Sequence, residues 1–129
     1  MNVELERKIV KLFVCKNRQE RMLFELFKED KRDNTLWHIE KYLDPSFMHE
    51  IREHIKNSEH LCKILKEAGA EERCYVMSMY RMYDEKIPLR KAIQENIFKG
   101  PYLLLLSDDG LAYYESEPEV MSSKYILRR

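Results

Sequence analysis

The stretch Pro101-Tyr-Leu-Leu-Leu-Leu-Ser-Asp-Asp-Gly-Leu-Ala-Tyr-Tyr-Glu-Ser-Glu117 decides the fold. Two runs rich in apolar and aromatic residues flank Asp109-Gly110, a dipeptide that tolerates the positive φ angles of a type I′ turn, so the stretch reads as a β-hairpin. A two-residue turn places Asp108 opposite Leu111, Ser107 opposite Ala112, Leu106 opposite Tyr113, Leu105 opposite Tyr114 and Leu104 opposite Glu115. Leu104, Leu106 and Tyr113 then share one face, while Leu103, Leu105, Ala112 and Tyr114 share the other. Since neither face of the first strand is wholly polar, residues 102–107 belong in the middle of a sheet covered on both sides.

Upstream of the hairpin, Pro88 opens a helix over 88–98 with the stripe Leu89, Ala92, Ile93 and Ile97, closed by Gly100-Pro101. Before it, Arg73–Tyr80 alternates as a strand. If that strand lies parallel to 102–107, the helix between them forms a right-handed crossover. Three further helices are expected between residues 35 and 68. The first carries Leu36, Ile39 and Leu43; the second starts at Asp44-Pro45 and carries Phe47, Met48, Ile51 and Ile55; the third carries Leu61, Ile64, Leu65 and Ala68 and stops at Gly69. Lys28–Asn34 reads as a solvated, mixed-charge loop. Residues 3–28 fit either two helices or a hairpin of 8–15 and 21–28, and their β-branched and aromatic content favours the hairpin. Lys124–Arg129 adds an edge strand with a charged end.

The expected architecture is therefore an α+β single domain spanning residues 1–129 without a linker: a mixed β-sheet with a C-terminal β-hairpin, packed by about four helices. Its expected core includes Leu61, Leu65, Val76, Ile93, Ile97 and Leu103–Leu106. With 129 residues the chain can bury such a core unaided. Cys15, Cys62 and Cys74 are odd in number and set among apolar neighbours, which suits reduced thiols and a cytoplasmic location. Neither a signal peptide nor a long apolar span is evident, so no membrane association is expected.

Lys plus Arg number 23, as do Asp plus Glu, so the chain lacks the global field of a dedicated nucleic-acid binder, and nucleic acid is not expected as a partner. Glycine-rich phosphate loops and GxSxG nucleophile elbows are absent, and no cofactor is expected. His38, His49, His54 and His60 do not follow metal-ligand spacing, so no metal site is assigned. Between Leu106 and Val120 stand five acids (Asp108, Asp109, Glu115, Glu117, Glu119) and no base. Asp108 and Glu115 fall roughly 14 Å apart along the ladder, too far to share a metal.

Seven of the eight tyrosines lie between residues 75 and 125, and partly buried tyrosine is a common anchor in protein contacts. The leading expectation is thus a non-catalytic protein-interaction or regulatory module that presents an acidic, tyrosine-containing hairpin surface to a protein with a basic surface. Its binding candidates are Asp108, Asp109, Tyr114, Glu115 and Glu117, with His38 beside them. A homodimer through the C-terminal edge strand is a further expectation. The alternative is a small enzyme or ligand-binding domain whose pocket lies near the end of strand 74–80, using His38, Cys74, Ser78 and Asp84.

Overall fold

The computed structural model describes residues 1–118 and 122–129. It shows an α+β fold. Among the described residues there are five α-helices, α1 (Val3–Phe13), α2 (Gln19–Leu26), α3 (Glu29–Trp37), α4 (Ser58–Glu67) and α5 (Leu89–Asn96). The strands are β1 (Met48–Glu50), β2 (Arg73–Ser78), β3 (Ile87–Pro88), β4 (Tyr102–Ser107), β5 (Leu111–Glu115) and β6 (Lys124–Arg128). They form one open sheet in the order β1-β6-β5-β4-β2-β3, with every neighbouring pair antiparallel.

β4 lies at the centre with Tyr102 to Leu106 buried, as its uninterrupted apolar run requires. The hairpin exists, but its turn differs from the two-residue type. Ser107 pairs with Leu111, so Asp108, Asp109 and Gly110 form a three-residue loop in which Gly110 takes a φ of 118°. A bulge at Leu106 then shifts the ladder, giving Leu104 opposite Tyr113 and Tyr102 opposite Glu115. Along Tyr102–Leu105 the slip from the two-residue register is two residues, an even number, so these side chains keep the face their alternation assigns, whereas beyond the bulge Ser107, opposite Leu111, changes face.

β2 meets β4 antiparallel, with Tyr75 opposite Leu105 and Ser78 opposite Tyr102, so the right-handed crossover does not arise. The link through β3 and α5 instead returns the chain to the end of the sheet that it left. Nor is β6 an edge strand: it lies between β5 and β1, which removes the free edge that a dimer through the C-terminus would need. The exposed edges are β1 and β3, of three and two residues, too short to template further pairing.

The first third of the chain is helical. Asn2 caps α1 by accepting from the Leu5 amide at 3.0 Å, Glu4 and Glu6 occupy the first turn, and Glu6, Ile9, Val10 and Phe13 form a buried stripe at helical spacing. A cap, an acidic first turn and a stripe of period 3.6 together outweigh the β-propensity that favoured a hairpin. Lys28–Asn34 is likewise not a loop, since α3 runs through it and buries Arg32. Residues 45–55 hold no α-helix: Pro45–Phe47 makes one 3₁₀ turn capped by Asp44 and Met48 enters β1, where the sheet offers hydrogen bonds that a short isolated helix could not match. Of the expected core all positions are buried except Ile97, which is partly covered.

Glu6 of α1 bonds Tyr75 on one face of the sheet, while the end of α4 meets Leu111 and Arg128 on the other, with α5 packed beside α4. Both faces are therefore covered, as the two-sided apolar character of β4 demands. No described helix is long and apolar enough to cross a membrane.

Candidate functional site

The hairpin tip is less acidic than its sequence suggests. Asp108 accepts from Lys8 Nζ at 3.1 Å and from Lys86 Nζ at 2.9 Å, and these bonds, Lys86 first, hold its carboxyl below the usual aspartate range. Glu115 is fully buried and Tyr114 is buried with its ring stacked on Tyr125 at 6.2 Å, so neither reaches a partner. Asp109 is exposed and Glu117 half-buried, while Glu119 lies outside the described residues. His38 is exposed, its Nδ1 3.0 Å from the Asn34 carbonyl. The fold thus disperses the six sequence candidates: two are inside the protein and a third is already paired.

For the alternative reading, four surface clefts formed by the described residues are lined by none of His38, Cys74, Ser78 and Asp84. Cys74 is enclosed in β2, and burial pushes its thiol up to about 12, so it stays protonated at neutral pH and cannot act as a thiolate. Thiol labelling of the native protein should accordingly modify half-exposed Cys15 and leave Cys74 intact until denaturant is added. Labelling of Cys74 at the rate of Cys15 without denaturant would contradict the burial. Among the described residues, no group of three or more His, Cys, Asp or Glu side chains is placed to hold a metal ion.

The opposite end of the sheet carries more. Tyr80 is 61% exposed, Met82 63% and Phe98 49%. Tyr80 and Met82 lie in the loop after β2, and Phe98 follows the last turn of α5. Arg81 pairs with Glu95 at 3.0 Å, and Tyr83 donates to Glu95 at 2.8 Å, so the loop is tied to the end of α5 and these segments are neighbours. The Tyr83 bond is the main reason the Glu95 carboxyl sits low.

Beside Phe98 is a cleft of about 650 Å³ whose walls include Ile51, His54, Ile55, Phe98, Ser123 and Lys124. Phe98 has a φ of 64°, a left-handed conformation that is rare for a bulky side chain and costs on the order of 1–3 kcal/mol. Lys124 Nζ lies 5.5 Å from the centre of the Phe98 ring and donates to Ser122 Oγ at 2.9 Å. Directly across the β5–β6 ladder from Lys124 is Glu115. Its Oε1 accepts from Tyr102 at 3.1 Å and Tyr113 at 2.9 Å, whereas its Oε2 has no hydrogen-bond partner among the described residues.

Burial raises the Glu115 carboxyl above its ordinary value, and the Tyr113 bond, the Lys124 charge, the Tyr102 bond and the Phe98 amide offset that only in part. A strained aromatic, an unsatisfied buried carboxyl and an open cleft therefore meet at one place. Sequence reading missed Phe98, Lys124, Tyr80 and Met82. The available signal was three apolar or aromatic residues, Tyr80, Met82 and Tyr83, inside the charged loop segment Tyr80-Arg-Met-Tyr-Asp-Glu85. No family model, curated protein or solved structure matches the chain.

Proposed function

We propose that the protein is a non-catalytic binding module that meets a protein partner through the end of the sheet carrying Tyr80, Met82 and Phe98. The observation that carries this reading is the exposure of these three large apolar side chains on two segments that Glu95 ties together, where tyrosine and methionine surfaces supply contact area to a partner. Several nearby charges are engaged with one another, Arg81 with Glu95, Arg52 with Glu50 at 3.6 Å, and Glu53 with His60 at 3.3 Å, while Lys124 lies over the Phe98 ring. Contact with such a surface draws chiefly on its apolar groups. The case for a basic partner on the hairpin is weaker, because at its tip Lys8 and Lys86 already pair with Asp108 and at its other end Glu115 is internal.

Affinity capture separates the two surfaces. A Tyr80→Ser, Met82→Ser double variant should lose at least tenfold in capture of the partner that wild type retains, which corresponds to about 1.4 kcal/mol. An Asp109→Lys variant, altered only at the hairpin tip, should retain that partner. Loss of capture in the charge variant alone would return the contact to the hairpin tip.

A further inference from the structure

The cross-strand pair Glu115 and Lys124 is unusual because its two members do not meet. They are directly opposed in the β5–β6 register and share a face, which brings their Cβ atoms to about 5 Å, within easy reach for a lysine. Lys124 nevertheless places its ammonium over the Phe98 ring and onto Ser122, while the Oε2 of Glu115 has no hydrogen-bond partner among the described residues. Two acceptors therefore compete for one cation: an aromatic face at the cleft and a buried carboxyl beneath it.

We propose that Lys124 has two positions set by the charge of Glu115, lying over Phe98 while Glu115 is neutral and turning inward to pair with Oε2 once Glu115 is ionised, which uncovers the Phe98 ring. A buried carboxylate with one oxygen unsatisfied is costly, and an ion pair with a directly opposed lysine relieves that cost. A neutral carboxyl exerts no such pull, and the ammonium then keeps its hydration and its contact with the ring.

The groups facing Glu115 identify Lys124 as the responding one. From β4 comes Tyr102, from its own strand Tyr113, from β6 Lys124, and from the turn after α5 the Phe98 amide. Tyr102 and Tyr113 are buried phenols whose own ionisation is driven upward by burial, so they remain neutral donors. The cationic or titratable bases on the cleft walls are Arg52, His54 and Lys124; Arg52 lies near Glu50, and of the three it is Lys124 whose charge acts on the Glu115 carboxyl.

The direction with pH follows. Because burial raises the Glu115 carboxyl above its ordinary value, Glu115 stays neutral to a higher pH than an exposed glutamate and ionises as pH climbs through its raised value; Lys124 moves inward with rising pH. That the movement alters partner binding rests on the reading of the Phe98 end as the contact surface, whereas the movement itself does not.

The test is NMR of the Lys124 Hε protons in the isolated protein from about pH 4 to pH 9, a span that brackets carboxyl titration. At low pH these protons should be shifted upfield by the Phe98 ring current, and the shift should vanish as pH rises. Glu115→Gln is isosteric and permanently neutral, so it should keep the upfield shift throughout. Phe98→Leu should abolish it at all pH values, which assigns it to the ring. Identical pH profiles in wild type and Glu115→Gln would overturn the proposal. Since no partner is present, this result is separate from the capture experiment. Loss of the binding reading leaves the switch in place, and a flat NMR titration leaves the binding surface in place.

Discussion

Replacing Arg32 by methionine should destabilise the protein by about 3–5 kcal/mol, the range for removing one partner of a buried ion pair. Glu6, fully buried in α1, receives Arg32 at 2.6 Å on Oε1 and 2.8 Å on Oε2, and Tyr75 donates to its Oε2 at 2.5 Å. Burial works against the Arg32 cation, yet the Glu6 carboxylate outweighs it and holds the guanidinium above its ordinary range. One bidentate contact thus joins α1, α3 and, through Tyr75, β2. Without Arg32 the Glu6 charge has no counterion in the core, and it must either ionise at great cost or take up a proton.

The Glu6→Leu, Arg32→Met double variant removes both charges and should cost clearly less than Arg32→Met alone. Tyr75 then retains only the Tyr83 carbonyl, 3.1 Å away, as an acceptor. Urea denaturation of the three proteins decides the matter. A loss under about 1 kcal/mol in Arg32→Met, the value typical of surface pairs, would show that the bridge contributes little.

The second large effect is steric. A Cβ on Gly100 would lie 2.0 Å from the Ser116 carbonyl oxygen, 2.8 Å from its carbon and 2.9 Å from the Glu115 oxygen. All three are backbone atoms of the chain leaving β5, so no side chain can swing aside. Gly100→Ala should therefore cost more than about 3 kcal/mol, beyond the usual range for overpacking, and should displace the start of β4 from the end of β5. Gly110→Ala provides the contrast. There the φ of 118° is unfavourable for alanine, but the nearest atom is the Arg129 Cβ at 3.0 Å, a far looser approach than at Gly100, so the cost should be smaller, about 1–2 kcal/mol. If thermal melts rank Gly110→Ala as the more damaging change, the close approach at Gly100 is not what limits that segment.

Gly100 also lies two residues from Phe98, and the strand end it presses against is the one that carries Glu115. The tight packing there and the cleft beside it belong to one piece of structure.

What the sequence determined by itself were the features written in local chemistry. Four consecutive leucines flanked by tyrosine and serine can be only a doubly covered strand, and β4 lies at the sheet centre. Asn57, Gly69 and Pro88 mark helix boundaries that α4 and α5 respect, because caps and breakers act within one turn. Along Tyr102–Leu105 even the two faces of the hairpin survived a register error, since alternation is insensitive to a slip of two.

Tertiary structure alone decided the rest. Whether residues 3–28 were helical depended on which face could be buried, and Arg32 entered the core only because Glu6, 26 positions away, was waiting for it. The acidity of the hairpin end disappeared for the same reason. Asp108 meets Lys8 from 100 residues upstream, and Glu115 lies opposite tyrosines rather than water. Charge along a chain is a local count, whereas charge on a surface depends on which side chains folding places outside and which counterions it brings to them.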